Sequence, residues 1–476
     1  MHLDHLLAAL PPEWPVDLLP EIQRRVSTMR TKVVVLDDDP TGTQTVHDVD
    51  VLTGWSVPEL ERALSDETPV VYILTNSRSL SGLAATRLAH EVGANLLTAA
   101  RATGRPLAVT SRSDSTLRGH YPVETDALAA ALGPFDGLLL CPFFLEGGRL
   151  TVADTHYVVE GDQAVPAAET EFAGDAVFGY RHSNLRAWIR EKTGGAITAD
   201  KVRSISLDTI RRDGPAAVID TLMSLQDGTP CVVNAVSYRD LEVLVAALLE
   251  AELAGKRLLY RTAASFVRVR GGLGPAAPLQ ANHLWQTGDA GGLVVVGSHV
   301  ARTTAQVQQA LELSGLCSIE AHVPLLLNEA TRQRELARLT DAVDAALCPA
   351  AGAARDVLLY TSRELVTGAD AAANLDIVER ISTALVQVVQ GLSRRPAWLI
   401  AKGGITSSDI ATQALDIRRA RVLGQAIAGV PIWQTGSESR WPEMVYVVFP
   451  GNVGGPSALA DMIAILRQSP RHHDSR

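Results

Sequence analysis

Short apolar, β-rich runs that end in polar residues recur along this chain and alternate with longer stretches of helical period. In the first half, KVVVLDDD (32–39), PVVYILTNS (69–77), PLAVTSRSD (106–114) and FDGLLLCPF (135–143) each predict a buried strand. Helix-like stretches at Ser79–Thr103 and Val123–Leu132 lie between them. Such alternation predicts a parallel sheet with crossover helices. It loosens around 195–290, where TPCVVNAVS (229–237) and KRLLYRTAAS (256–265) predict further strands, and residues 267–292, rich in Gly, Pro and small side chains, predict a linker. A second series follows: GLVVVGSHV (292–300), DVLLYTSRE (356–364), PAWLIAKGG (396–404) and EMVYVVFPGNVGG (443–455). Helical stretches at 301–315, 330–346, 371–392 and 406–415 separate them. The fold class expected is α/β, with two domains each built on a largely parallel sheet. The boundaries read as an N-terminal extension over 1–30, a first domain over 31–270 and a second over 291–468. In such sheets ligands sit beyond the carboxyl ends of the strands, so the polar strand ends are the first places to look for chemistry.

Composition narrows the function classes. A chain of 476 residues exceeds what one hydrophobic core usually supports, in line with two domains. The net charge is −10, from 43 Lys and Arg against 53 Asp and Glu, with no dense basic run, so nucleic-acid binding is not expected. Cys141, Cys231, Cys317 and Cys348 form no CxxC pair and no metal-ligand spacing, which argues against zinc and against a disulfide framework. The start of the chain is broken by prolines and acidic residues and does not read as a signal peptide. No apolar run is long enough to cross a bilayer, and the expected setting is cytoplasmic.

The strand ends of the first half carry the candidate chemistry. Asp37, Asp38 and Asp39 are adjacent after an apolar strand, and three neighbouring carboxylates repel one another unless something uses them. A capping role for Asp39 before Pro40 is the plainer alternative. Asp37-x-Asp39-x-Thr41, with Thr75 ending a later strand, also fits the first two motifs of haloacid-dehalogenase-type phosphatases, whose first Asp is a nucleophile. That reading still requires a lysine and a downstream acidic pair, and Lys192 and Lys201 fall in a polar stretch read as irregular. SRSDSTLRGH (111–120) alternates Arg112, Asp114 and Arg118 with the hydroxyls of Ser113, Ser115 and Thr116. A sugar acid needs such a set: guanidinium forks for its carboxylate, and acceptors for its hydroxyls. Asn76 and Arg78 end a neighbouring strand. A Gly-containing connection at 142–157 adds Glu146, Arg149, Asp154 and His156, the last read more readily as a packed histidine. ETEFAGDAVFGYRHSNLRAWI (169–189) reads as a structured loop entering a helix.

The second half has no GxxxxGK[ST] loop. Instead VVVGSH (294–299), LIAKGGITSSD (399–409) and VVFPGNVGGPSAL (447–459) each run from strand through small or hydroxyl residues into a helix. Glycines let phosphates approach the backbone, and helix starts offer free N–H groups. Three such turns in one domain favour a nucleotide site. Lys402 could reach a phosphate or lie at the surface.

Taken together, DDDPTG, TNSRS, SRSDSTLRGH, EGGRLTVADTHYV and ETEFAGDAVFGYRHSNL, followed by GSHV, KGGIT and PGNVGG in that order, resemble the four-carbon acid sugar kinase family from about Lys32 to Leu466. The resemblance implies ATP- and Mg²⁺-dependent phosphorylation of a small sugar acid such as a tetronate or 3-oxo-tetronate. It implies an acid-binding first domain, a nucleotide-binding second domain and a reaction in the cleft between them. Asp38 and Asp114 are the catalytic candidates, and Asp39, Asn76, Arg78, Arg112, Ser113, Ser115 and Arg118 the substrate-binding ones; of these the resemblance carries Asp38, Arg78, Arg112, Asp114 and Arg118. Ser298, Lys402, Gly403, Gly404, Ile405, Thr406, Gly451 and Gly454 fall on the nucleotide side. Metal ligands are not assigned, and a homodimer is a family-level expectation. The chain departs from the family pattern at Pro40, usually aromatic, at Arg112, usually Lys, and at Ile405, often acidic. The other readings are the phosphatase on Asp37 and Asp39 and a non-catalytic sugar-acid sensor.

Overall fold

A computed structural model describes residues 1–348, 353–364, 366 and 371–472, and the chain divides into two units, Met1–Pro275 and Ala276–Arg476. Strands of the first unit are β1 (Lys32–Asp37), β2 (Val49–Leu52), β3 (Val70–Leu74), β4 (Leu107–Arg112), β5 (Gly137–Cys141), β6 (Arg149–Val152), β7 (Thr155–Glu160), β8 (Gln163–Pro166), β9 (Arg203–Ile205), β10 (Thr229–Val233) and β11 (Leu258–Thr262). Strands β2-β3-β1-β4-β11-β5-β10-β9 lie in that spatial order, every pair parallel. Runs such as Val33–Leu36 are buried on both faces, which explains why they read as continuous apolar segments rather than alternating ones. Ala89, Val92, Leu96 and Ala99 of the helix Gly82–Thr103 pack with Leu128 and Leu132 of the helix Val123–Leu132 against β1, β3 and β4. Ser81 caps the first of these helices by accepting from Ala84 N.

The chain runs from β1 outward to β2 and β3 on one side, then crosses to β4 on the other. That reversal leaves a crevice at the carboxyl end of β1. Residues 1–30 are packed onto this unit: Leu3 N donates to Asp162 O, and Ile22 and Val26 of the helix Leu19–Met29 are buried.

The second unit holds β12 (Gln286–Thr287), β13 (Leu293–Val296), β14 (Leu316–Ala321), β15 (Asp356–Thr361), β16 (Trp398–Lys402), β17 (Arg419–Ile427), β18 (Val430–Thr435), β19 (Val445–Phe449) and β20 (Arg471–His472). Its sheet order is β14-β15-β13-β16-β19-β18-β17, parallel through β19 and antiparallel thereafter, while β12 pairs with β20. The reversal recurs here, with β14 and β15 on one side of β13 and β16 on the other. Val294, Leu358, Trp398, Ile400, Val447, Leu459 and Ile463 form its core.

Several expectations need correction. Residues 142–157 are not a plain connection: β6, β7 and β8 form a separate antiparallel sheet. The strand read at 256–265 stops at Thr262, and Ala264–Arg270 is a helix that takes the first residues read as linker. Lys192 ends the regular helix Leu185–Lys192 rather than lying in an irregular stretch. Strands β2, β9, β12, β14, β17, β18 and β20 are further elements that the sequence pattern does not predict.

Candidate active site

Asp37 ends β1, and the parallel register sets it beside Leu74 of β3 and Arg112 of β4. Residues 37–39, 75–78 and 112–114 therefore emerge together at the crevice. Thr75 N and Asn76 N donate to Asp37 O at 2.9 and 3.3 Å, and Arg78 N donates to Asp38 O at 3.3 Å. Asn76 takes up a left-handed φ of 50°, which an asparagine tolerates better than most residues.

Two arginines answer the three carboxylates. Arg78 donates Nη2 and Nε to the two oxygens of Asp38, at 2.6 and 3.2 Å, and Nη1 to Asp39 at 2.9 Å. Arg112 Nη1 lies 2.8 Å from Asp37, 3.4 Å from Asp38 and 3.7 Å from Asp39. Burial pushes the Asp37 carboxyl up to about 7, against the pull of Arg112 and with its two acidic neighbours adding to the rise. Asp39 goes the other way: burial opposes ionisation, but Arg78 and Arg112 hold it below the usual carboxylate range. Asp39 also caps the short 3₁₀ turn Pro40–Thr43, accepting from Thr41 N at 2.7 Å, so the capping role and the charged role coexist.

The segment after β4 completes the cluster. Ser113 Oγ is 3.0 Å from Asp38, Arg118 Nε donates to Asp114 at 2.7 Å, and the Thr116 hydroxyl also bonds Asp114. Although burial opposes it, Arg78 and Arg118 hold Asp114 far below its ordinary value. His156 on β7 fixes this loop from behind, its Nε2 lying 2.7 Å from Ser115 O and its Nδ1 2.9 Å from the Thr151 hydroxyl. A carbonyl only accepts, so Nε2 carries the proton and Nδ1 accepts from Thr151. Burial pushes this histidine down to about 4, so it is neutral. His156 is thus a packed residue whose contact supports the loop. The loop pays for its shape with a left-handed Leu117 (φ 68°) and with Gly119 (φ 114°), where a Cβ would stand 2.6 Å from Ser113 Oγ.

Sequence reading missed Arg261 of β11. It is buried, with Nη2 2.9 Å from Ser113 Oγ, Nη1 3.7 Å from Glu124 and its guanidinium over the Tyr121 ring. Burial pushes Arg261 down and Glu124 up, and Glu124 accepts from the Ser77 hydroxyl.

The phosphatase reading meets a steric obstacle. Asp37 is 2% exposed, is bonded to Arg112, and lies so close under Gly42 that a Cβ there would stand 2.1 Å from its carboxylate. A nucleophile needs an open approach. Lys192 spends its amine on the carbonyls of Phe178 and Gly179, at 3.1 and 2.9 Å.

In the second unit the three glycine-bearing strand ends converge. Gly297 N donates to Lys402 O, and Gly403 N donates to Phe449 O. Cβ atoms built at Gly297, Gly403 and Gly451 would stand 2.3 Å from Thr406 Oγ1, 3.3 Å from Ser298 Cβ and 3.0 Å from Ser298 Oγ, so the Ser298 and Thr406 side chains pack directly on glycine backbone. Thr303 Oγ1 ties Ser298 Oγ to Gly451 O, each at 3.1 Å. Gln306 holds the carbonyls of Val453 and Gly455 at 2.9 Å, while Gly454 takes a left-handed φ of 83° beside Ala458. A Cβ at Gly404 would meet nothing within 4 Å, which leaves the start of the helix Gly404–Asp409 open to a ligand. Ile405 on that turn is exposed.

Lys402 is not a surface residue. It is fully buried over the Phe449 ring, with Nζ donating to Pro450 O at 3.0 Å. Burial, helped by Arg302, pushes its amine down to about 7. Among the described residues no group of three His, Cys, Asp or Glu is placed to hold a metal ion, and no helix is long and apolar enough to cross a membrane.

Comparison with known proteins finds a family model for each part of the chain. Residues 33–270 match the sugar-binding N-terminal domain family, and residues 293–459 match the nucleotide-binding C-terminal domain family. A D-threonate kinase of Bordetella bronchiseptica is 28% identical over 409 residues, 84% of this chain and 88% of that protein. A D-erythronate kinase of Heliobacterium modesticaldum is 25% identical over 321 residues, 66% of this chain and 68% of that protein. Solved structures share the fold. A Haemophilus influenzae protein has a TM-score of 0.62 at 18% identity over 91% of this chain and all of its own. A Salmonella typhimurium LT2 protein, provisionally called a tRNA synthase, has a TM-score of 0.66 at 17% identity over 91% of this chain and 98% of its own. With both domain families matched in order, this chain belongs to the four-carbon acid sugar kinase family.

Proposed function

We propose that the chain transfers the γ-phosphoryl group of ATP, presented as its Mg²⁺ complex, to a hydroxyl of a four-carbon sugar acid. The observation that carries this reading is the Asp–Arg cluster at the carboxyl end of β1. Asp38 and Asp114 are held in place by Arg78, Arg118 and Ser113 at the topological reversal of a parallel sheet. In support, two relatives named for kinases of D-threonate and D-erythronate align over most of their length.

The sugar acid is assigned to residues 31–270 and the nucleotide to residues 291–468. On the nucleotide side, Ser298, Lys402, the Gly403–Thr406 turn, Gly451 and Gly454 are assigned to the phosphates, Gly404 leaving that turn open and Lys402 supporting the site from its buried place over Phe449. On the acid side, Asp38 or Asp114 accepts a hydrogen bond from the reacting hydroxyl and orients it, while Asp39, Asn76, Ser113 and Ser115 line the crevice. Phosphoryl transfer asks little of a base and much of positioning, so carboxylates held this firmly in place suit the task. Mg²⁺ bound with the nucleotide would supply charge neutralisation at the phosphate oxygens. Dependence on ATP implies a cytoplasmic setting.

The test is ADP release with Mg²⁺ across a panel of tetronates and 3-oxo-tetronates. Release that requires one acid supports the reading, and binding of an acid without turnover supports the sensor instead.

A further inference from the structure

A sugar acid's carboxylate needs a guanidinium that the protein has not already spent on its own carboxylates. Arg78 and Arg112 are committed to Asp37, Asp38 and Asp39. Arg118 is bonded to Asp114 and lies 3.6 Å from Asp175. Arg149, the first residue of β6, differs from all three. It is half-buried, and its Nη1 is taken up by the neighbouring Gly147 carbonyl. Its Nε is buried with no hydrogen-bond partner, and among the described residues no carboxylate is in ion-pair contact with it.

The surroundings fit an anion. The Phe172 ring is shared by two guanidiniums, with Arg118 at 5.2 Å and Arg149 at 5.6 Å from its centre. A flat aromatic surface fixes a guanidinium plane at little entropic cost and leaves those N–H groups that are not already bonded free for an anion. Phe172 belongs to the ETEF segment, whose chemistry spacing alone did not disclose. Burial pushes Arg149 down, and Asp114 acts on it electrostatically. A bound carboxylate would offset that burial.

We propose, resting on the sugar-acid reading above, that Arg149 receives the substrate's carboxylate in a seat walled by Phe172 and Arg118. Arg149 then distinguishes a sugar acid from the neutral polyol of the same length and configuration. The carboxylate lies beside Arg149, and the acid's hydroxyls extend toward Asp114 and Asp38.

The test compares wild type with Arg149→Gln, Arg149→Lys and Phe172→Leu on a tetronate and on the matching tetritol, with acid affinity measured separately by calorimetry without nucleotide. Arg149→Gln should lower kcat/KM for the acid by about 30-fold, mostly through KM, as expected for a lost charged hydrogen-bond pair. It should leave the polyol value nearly unchanged, so the preference for acid collapses. Arg149→Lys, which keeps the charge without the fork, should fall between the two. Equal losses on acid and polyol, or no loss on either, would overturn the assignment. If Arg149→Gln does not fold, Phe172→Leu must show the same acid-selective loss. Wild type that binds tetronates through Arg149 but never phosphorylates them would remove the kinase reading and leave this one standing. Turnover with unchanged acid selectivity in the variants would do the reverse.

Discussion

Asp38 and Asp114 occupy comparable but not identical positions. Asp38 is held through both oxygens by Arg78 and again by Ser113, whereas Asp114 is held by Arg118 and Thr116 on a loop that itself needs support. Each is replaceable by its amide without loss of volume. Asp38→Asn and Asp114→Asn should each lower kcat by about 100-fold, the low end for a lost proton-accepting group, and leave nucleotide affinity little changed. If both variants keep full activity, neither carboxylate handles the hydroxyl. Lys402 makes a pH-dependent prediction. Its amine titrates near 7 when folded and near 10.5 when unfolded, so between those values the unfolded chain binds more protons. The cost of burying its charge is present in full below pH 7 and is relieved as pH rises toward 10.5. Lys402→Met should therefore raise the melting temperature relative to wild type at pH 6 more than at pH 9, measured by calorimetry without nucleotide. A difference independent of pH would show that the amine does not titrate in that window.

Turns and strand ends do the positioning. The 3₁₀ turn Pro40–Thr43 folds back over β1, bringing Gly42 against the Asp37 carboxylate. Gly42→Ala should force Asp37 away from Arg112 and destabilise the protein by about 1–3 kcal/mol, the usual range for overpacking, with a larger proportional loss of acid affinity. Unfolding in urea, with acid binding measured alongside, checks both effects; an unchanged midpoint would mean that the turn yields freely. At this scale the sequence was most readable where one segment holds both signal and consequence. The apolar run of β1 ending in three aspartates, and the SRSDST loop after β4, declared themselves locally. Arg261 did not, because β11 inserts between β4 and β5 and sets Arg261 beside Ser111 across about 150 residues of chain. Nothing in KRLLYRTAAS encodes that pairing. The hairpin β17–β18 did leave a trace: ARVLGQAI alternates buried and half-buried positions, and Gly429 (φ 78°) stands at the turn, yet a register shift near Gly424 breaks the period.

Across the whole molecule, each unit runs a parallel sheet outward from its first long strand and then reverses, and in each the candidate residues sit at that reversal. The alternation of apolar strands and helical stretches was enough to predict this α/β class. Strand order was not readable, since it depends on which distant runs pair. Nor was the burial of Lys402, which depends on the β16–β19 register that puts it beside Phe449. What the two units imply jointly is an acid-dependent use of nucleotide. The most direct test is ADP release by the full chain with Mg²⁺ and each of a panel of tetronates and 3-oxo-tetronates, the products followed by mass spectrometry. The account predicts ADP release that requires both Mg²⁺ and one particular acid, with one phosphorylated acid formed per ADP. Hydrolysis of phosphate esters without any acid-dependent ADP release would contradict it.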